Sequence, residues 1–441
     1  MLFSTQFRWV LLLTMLVGTG ACTNNFVDPN AIQGTPSKGS ADFTKYVAVG
    51  NSLTAGFADA GLYRDSQLNS YPNILAGQFR AVGGGDFVQP LFSDAQANGS
   101  GYIRLKKLPA GATGLPTFDT TKTQLAVREL AASGGPLYTK FTDANQNLGV
   151  PGIRVADILT PGYGSRVGNP YFERLLTDQA SATTYFQYVS NSLNGATFFS
   201  CWLGNNDALG YAISGGAGTE NEQRGLTSIN LFTTNFTAIM NKLTEGGRKG
   251  VVMGIGNIVR APYFTTATDQ INALLKAQGI AGLSIRSKSA PGGVRLSGAG
   301  DYFLLSIAPV LTGFIARGIG LTAANPIPDQ YVLDAAEVQT LNARIGEFNA
   351  AMKAQADAKG VAFVDTNPFF QQLTQAGGYG QNGVTYSASY IQGGVFSLDG
   401  IHLTPAGYAL VANEITKGIN GKYNSTIPPV NPAGYRRVLL Q

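Results

Sequence analysis

Four short apolar runs, set far apart along the chain, constrain its fold more than any other feature. Tyr46–Gly50 reads Tyr-Val-Ala-Val-Gly, and residues 196–203, 250–255 and 361–365 are comparably apolar and rich in aromatic or β-branched side chains. Each has strand length, and helical patterns lie between them. Strands that alternate with helices imply a parallel sheet covered on both faces. One helix is legible over residues 334–359, where Val338, Leu341, Ile345, Phe348 and Met352 recur at spacings of three and four and give a single apolar stripe for core packing. Another starts at Thr404-Pro405, a capping hydroxyl followed by proline at the first helical position, and is expected to reach about Ile419.

The first residues set Arg8 before an apolar run at 9–17, then Gly18-Thr-Gly-Ala21 and Cys22. The run is too short to span a bilayer and has the form of a secretory signal over residues 1–21. Small residues directly before Cys22 resemble the cleavage box of a bacterial lipoprotein. A lipidated Cys22 would tether the protein to an envelope membrane by acyl chains, outer membrane, periplasmic or surface-facing. The other reading is an ordinary signal peptide with an incidental cysteine. Residues 22–41 read as a flexible tether, residues 42–420 as one domain with insertions at about 82–145 and 282–330, and residues 421–441 as a C-terminal tail. No later stretch is apolar enough to cross a membrane.

Composition excludes several classes. The formal charge is +5, yet only 13% of residues are charged and no basic run exceeds two residues, so nucleic-acid binding has no footprint. One histidine and two dispersed cysteines do not make the usual zinc clusters. Cys201 lies within Phe198-Phe-Ser-Cys-Trp-Leu203 and reads as a packing residue, with no disulfide expected. Gly254-Ile-Gly256 follows a strand but lacks the third glycine of a dinucleotide fingerprint.

His402 is the only histidine, so any imidazole chemistry at neutral pH must use it. It stands in Ser397-Leu-Asp-Gly-Ile-His-Leu-Thr-Pro405, with Asp399 three positions earlier and a helix start just after. Ser52 directly follows the first strand run, which is where a nucleophile would be presented. Taken singly, each residue also has a structural reading: Ser52 as a helix cap, Gly152 and Asn206 as turn residues, Asp399 as a turn former beside Gly400.

Four segments, Gly50-Asn-Ser-Leu53, Asn147-Leu-Gly-Val-Pro-Gly152, Gly204-Asn-Asn-Asp207 and Asp399-Gly-Ile-His402, occur in an order and form that resembles the SGNH/GDSL hydrolase family. Tyr71-Pro-Asn-Ile-Leu75 and the stretch from Phe396 to Tyr408 add to the likeness, which spans about residues 44–420. It implies a three-layer flavodoxin-like α/β fold with a mostly parallel five-stranded sheet. It also implies that Ser52 attacks an acyl carbonyl, His402 takes its proton and Asp399 orients the imidazole. The oxyanion would be held by the backbone N–H groups of Ser52 and Gly152 and by the side-chain amide of Asn206. No metal or cofactor is called for.

Two positions depart from the family pattern. Asn51 stands where Asp is usual and Leu403 where Pro is frequent. The first bears on rate and pH dependence; the second alters loop stiffness. The expected activity is hydrolysis of carboxylic esters, lipid, aryl or acetyl-glycan, through an acyl-serine. The competing reading is a non-catalytic envelope lipoprotein that binds ligand on the same fold, with Asn51 as a sign of decay. A large apolar groove beside Ser52 would favour acyl chains; a shallow aromatic cleft, built from Tyr379, Tyr386 and Tyr390, would favour sugars, although those tyrosines also read as packing or hairpin residues.

Overall fold

Strands β1 (Tyr46–Gly50), β2 (Asn147–Gly149), β3 (Phe198–Trp202), β4 (Lys249–Met253) and β5 (Ala362–Val364) form one sheet in the spatial order β2-β1-β3-β4-β5. Every neighbouring pair is parallel, with Gly50 opposite both Gly149 and Trp202. The computed structural model describes residues 35–108 and 116–438; the signal segment, Cys22 and most of the expected tether lie outside the described residues.

Six helices matter for the layers and the site: α1 (Ser52–Ala55), α2 (Tyr71–Arg80), α3 (Asn206–Ile213), α4 (Ile229–Leu243), α5 (Ala335–Ala358) and α6 (Pro405–Tyr423). On one face of the sheet, Phe198 of β3 meets the rings of Phe79 from α2 and Tyr423 from α6, with centroids 5.7 and 5.8 Å away. On the other, α4 and α5 pack through Phe232 stacked on Phe348 at 3.9 Å. Phe79, Phe198, Phe232 and Phe348 are buried, and burying such a side chain contributes roughly 1.5–3 kcal/mol. The apolar stripe on α5 faces this core, and only Val338 stays half-buried. Asp334 and Glu337 close the start of α5 as a capping box, each side chain accepting the other's backbone N–H. Thr404 caps α6 by accepting the Gly407 N–H at 3.0 Å, and that helix continues beyond Ile419 to Tyr423.

The three-layer flavodoxin-like expectation is met, with a fifth strand at Asn147–Gly149 that periodicity did not mark. Both expected insertions carry local structure. Residues 82–145 contain the hairpins Ile103–Lys107 with Thr117–Thr120 and Val127–Leu130 with Pro136–Tyr138. Residues 282–330 contain the hairpin Ser284–Arg286 with Val294–Leu296 and pack a small core around Leu283, Ile285 and Ile327.

The ends are less free than their polar sequences imply. Ser40 and Ser37 bond the backbone at the end of α6 and just beyond it, at Tyr423 and Thr426, so the last residues of the expected tether are docked. The expected tail is docked too. Asn413 and Asn420 each pair both amide atoms with the backbone, at Val430 and Ile427, and Ile427 is fully buried. All described residues belong to one compact unit.

Candidate active site

In a sheet of this order, the chain leaves β1 toward one side and later crosses to β3 on the other, so the loops after β1 and β3 diverge and leave a crevice. Ser52 follows β1 and Asn206 follows β3. Their convergence is a consequence of topology, since both strands end at the same sheet edge. Gly50 makes the turn possible: a Cβ there would lie 2.0 Å from the Thr54 hydroxyl and 2.7 Å from the Trp202 carbonyl oxygen.

His402 comes to this edge on the loop before α6. Its Nε2 lies 2.9 Å from the Ser52 Oγ, and its Nδ1 lies 2.9 Å from the Asp399 Oδ2. A carboxylate only accepts, so Nδ1 carries the proton and Nε2 is free to accept from the serine hydroxyl. The imidazole leans on the ring of Phe57, centroids 4.6 Å apart.

Asp399 is surrounded by donors. Its Oδ1 accepts from the backbone N–H groups of Ile401 and His402 and from the Ser397 hydroxyl, while Oδ2 also accepts the Ala60 N–H. Burial alone would raise its pKa, but the imidazole and these N–H groups outweigh it and hold the carboxyl well below the ordinary carboxylate range. Ala60 and Asp59 reach this position with φ of 62° and 53°, a left-handed stretch that non-glycine residues seldom adopt. Asp59 fixes the same loop, accepting the Leu398 N–H and the Tyr63 hydroxyl proton, with Arg436 of the docked tail 3.9 Å from its carboxylate.

Gly152 lies beyond β2 at φ 86°, between two tethered residues. The Val150 N–H bonds to the Gly50 carbonyl at 3.0 Å, and the Ile153 carbonyl accepts from the Asn206 amide at 2.9 Å. That bond uses one of the two N–H groups of Asn206 and aims the amide. Asp207 clamps the same loop from below, accepting the N–H groups of Val155 and Ala156 and the Thr227 hydroxyl proton. Burial pushes its carboxyl up to about 6 in spite of those donors.

Ser52, His402 and Asn206 line one cleft that is partly open to solvent. Its walls are mainly apolar, with Leu53, Leu209, Ile258, Phe264, Phe370 and Ile401 among them. Tyr379, Tyr386 and Tyr390 do not line it: the first two pair across a hairpin, and the Tyr390 hydroxyl bonds the Leu398 carbonyl. Cys201 is fully buried in β3, its thiol pushed up to about 12 by burial, and is the packing residue expected. The expected Ser52, Asp399 and His402 are therefore in line and Asn206 faces the same cleft, whereas Ser397, Asp59, Ala60, Asn205 and Asp207 support the site without having been singled out.

A family model described as GDSL-like Lipase/Acylhydrolase matches residues 46–415. The chain belongs to this family. GDSL-like hydrolases of this kind act on carboxylic esters, so the protein is a carboxylic ester hydrolase. Among curated proteins no sequence matches. Solved structures similar to this GDSL-like chain include LAE5, an alpha/beta hydrolase from the metagenome of Lake Arreo, Spain, at 12% identity and TM-score 0.35, covering 86% of this chain and 96% of that one. An acetylxylan esterase, Axe2 of Geobacillus stearothermophilus, aligns at 10% identity and TM-score 0.34, with 86% and 95% covered. An extracellular lipase of Streptomyces rimosus aligns at 13% identity and TM-score 0.28, with 86% and 98% covered.

Proposed function

We propose that the protein is a serine esterase that cleaves aliphatic acyl esters through an acyl-serine intermediate. The observation that carries the reading is the unbroken hydrogen-bond line from Ser52 Oγ through His402 to Asp399, each link 2.9 Å long. A serine hydroxyl is a weak nucleophile, and an adjacent base with a fixed tautomer is what activates it.

In the first half-reaction the Ser52 oxygen bonds to the acyl carbon as its proton passes to His402 Nε2. The carbonyl oxygen becomes an oxyanion, held by the N–H groups of Ser52 and Gly152 and by the second N–H of Asn206. One such donor is worth about 3 kcal/mol in the transition state. The intermediate collapses, the carbon–alkoxy bond breaks, and the leaving oxygen takes the proton from Nε2. Water then repeats the sequence: it gives a proton to Nε2, attacks the acyl carbon, and the acid departs as Ser52 recovers its hydrogen. Asp399 stays ionised throughout and stabilises the imidazolium.

The apolar walls support an aliphatic acyl chain over an acetylated sugar as the ligand of this cleft. The sequence around Cys22 supports anchoring of the enzyme to a bacterial envelope membrane by acyl chains. Incubation with a neutral aryl ester tests the chemistry: release of the phenol by the wild type, lost by at least about 10³-fold in Ser52→Ala, is expected. Equal rates in the two proteins would refute it.

A further inference from the structure

One group in the cleft has no part in acyl transfer as derived above. Arg260, at the end of the short turn Ile258–Arg260 after β4, lines the same cleft as Ser52 and His402. Its Nη1 donates to the Thr374 hydroxyl at 2.9 Å, and that hydroxyl in turn donates to the Gln371 carbonyl at 2.8 Å. Thr374 thus offers a lone pair that orients the guanidinium and leaves its charge uncompensated. No carboxylate among the described residues lies within ion-pair distance of Arg260. Arg154, Arg295 and Arg436 show the usual alternative, each meeting an Asp within 3.1 Å.

A guanidinium offers five N–H groups in a planar fork that matches the two oxygens of a carboxylate or phosphate. Here one N–H is taken by Thr374, and Arg260 lines the same cleft as Leu209, Phe264 and Phe370. A neutral ester would use the walls and leave the charge idle. An amphiphile with an aliphatic part and an oxyanion would use both.

We propose that Arg260 is a specificity-determining residue that pairs with a negatively charged oxyanion group, carboxylate or phosphodiester, on an aliphatic ester substrate. The proposal rests on the reading of Ser52 as nucleophile. It names the charge class of the substrate and assigns the selection to one side chain. Because Arg260 is partly exposed, the attraction is screened by salt.

The test compares kcat/KM of wild type, Arg260→Gln and Arg260→Lys on three substrates. These are neutral p-nitrophenyl butyrate, the mono-p-nitrophenyl ester of a dicarboxylic acid, with the anion on the acid side, and an anionic lysophospholipid, with the anion on the alcohol side. The ratio of anionic to neutral kcat/KM is expected to fall about tenfold in Arg260→Gln and to recover in part in Arg260→Lys. Added salt should lower that ratio in the wild type and leave it nearly constant in Arg260→Gln. Whichever anionic ester loses its advantage tells on which side of the scissile bond the charge lies. Ratios unchanged for both anionic esters in Arg260→Gln would overturn the proposal. Hydrolysis of all three esters by Ser52→Ala at the wild-type rate is a separate outcome that removes the underlying reading, and the proposal with it.

Discussion

The side-chain amide of Asn51 donates to the side-chain carbonyl of Asn205 at 3.0 Å, tying the residue before Ser52 to the residue before Asn206. The side-chain Oδ1 of Asn51 meanwhile accepts the Leu53 N–H and caps the short helix that Ser52 opens. Ser52 and Asn206 are thus held at a fixed spacing by one buried side chain, at the position where the family usually has Asp.

Replacement of Asn51 tests that tie. Asn51→Ala removes both bonds and leaves the Asn205 carbonyl without its donor. A loss of about 1–2 kcal/mol in stability and a fall in kcat of about tenfold or more are expected. Asn51→Asp keeps the acceptor for Leu53, and rotation of the Asn205 amide restores the second bond, so kcat within about threefold of wild type is expected. Steady-state kinetics with chemical denaturation checks both; an Asn51→Ala enzyme as fast as wild type would show that the tie does not position Ser52.

Asp399 uses both oxygens as acceptors, and this makes the isosteric amide a poor substitute. In Asp399→Asn the new NH₂ must face either His402 Nδ1–H and the Ala60 N–H or the three donors at Oδ1. One arrangement rejects the required tautomer and the other opposes like donors. A drop in kcat of roughly 10⁴-fold with KM little changed is expected. A readable loss of stability should accompany it, because paired donors lose their acceptor.

Much of this was legible in the sequence, for identifiable reasons. Four strands and the helix at Ala335–Ala358 announce themselves because local periodicity and packing agree there. Asn147–Gly149 does not, because two of its three residues are poor strand formers. Asn147 is accommodated by donating to the Thr54 carbonyl, and Gly149 by a close approach to Ala55. Ser52, Asp399 and His402 were legible because His402 is the only histidine and the motif segments resemble the family's, and the structure sets the three in line. The residues that hold them were not: Ala60 meets Asp399 across nearly the whole chain, and a backbone N–H carries no residue-type signal. The docked tail was missed for the same reason, since Asn413 and Asn420 satisfy a backbone that reads as polar coil.

Two supporting carboxyls set a pH dependence of stability. Burial pushes Asp207 up to about 6 and Glu337 up to about 7. For a carboxyl raised in the folded state, the fold binds the proton more tightly than the unfolded chain. The contribution is fully present below the unfolded value of about 3.9 and is lost as pH rises through the folded one. For Asp207 the shift corresponds to an upper limit on the order of 3 kcal/mol. Asp399, held low, acts with the opposite sign and only below about pH 4. Denaturant midpoints should therefore decline from pH 5 to pH 8, and Asp207→Asn combined with Glu337→Gln should flatten the slope. A midpoint that rises over this interval in the wild type would contradict the burial of these two groups as charges.

Leu209 stands on the wall along which the proposed acyl chain would lie. It follows Asn206 by three residues on α3, so it stands on the same helix face, one turn beyond the amide donor, and lines the cleft wall. Leu209→Trp adds bulk where an aliphatic chain would lie and leaves the Ser52–His402–Asp399 line untouched. In a hydrophobic pocket each methylene gained or refused is worth about 1–3 kcal/mol. The ratio of kcat/KM for octanoyl over acetyl p-nitrophenyl esters should consequently fall by at least about tenfold in Leu209→Trp. Most of the change should sit in KM, because the reacting atoms keep their geometry. A ratio equal to that of the wild type would mean that the acyl chain leaves Ser52 by another route, and the assignment of this cleft to the acid part of the ester would fall.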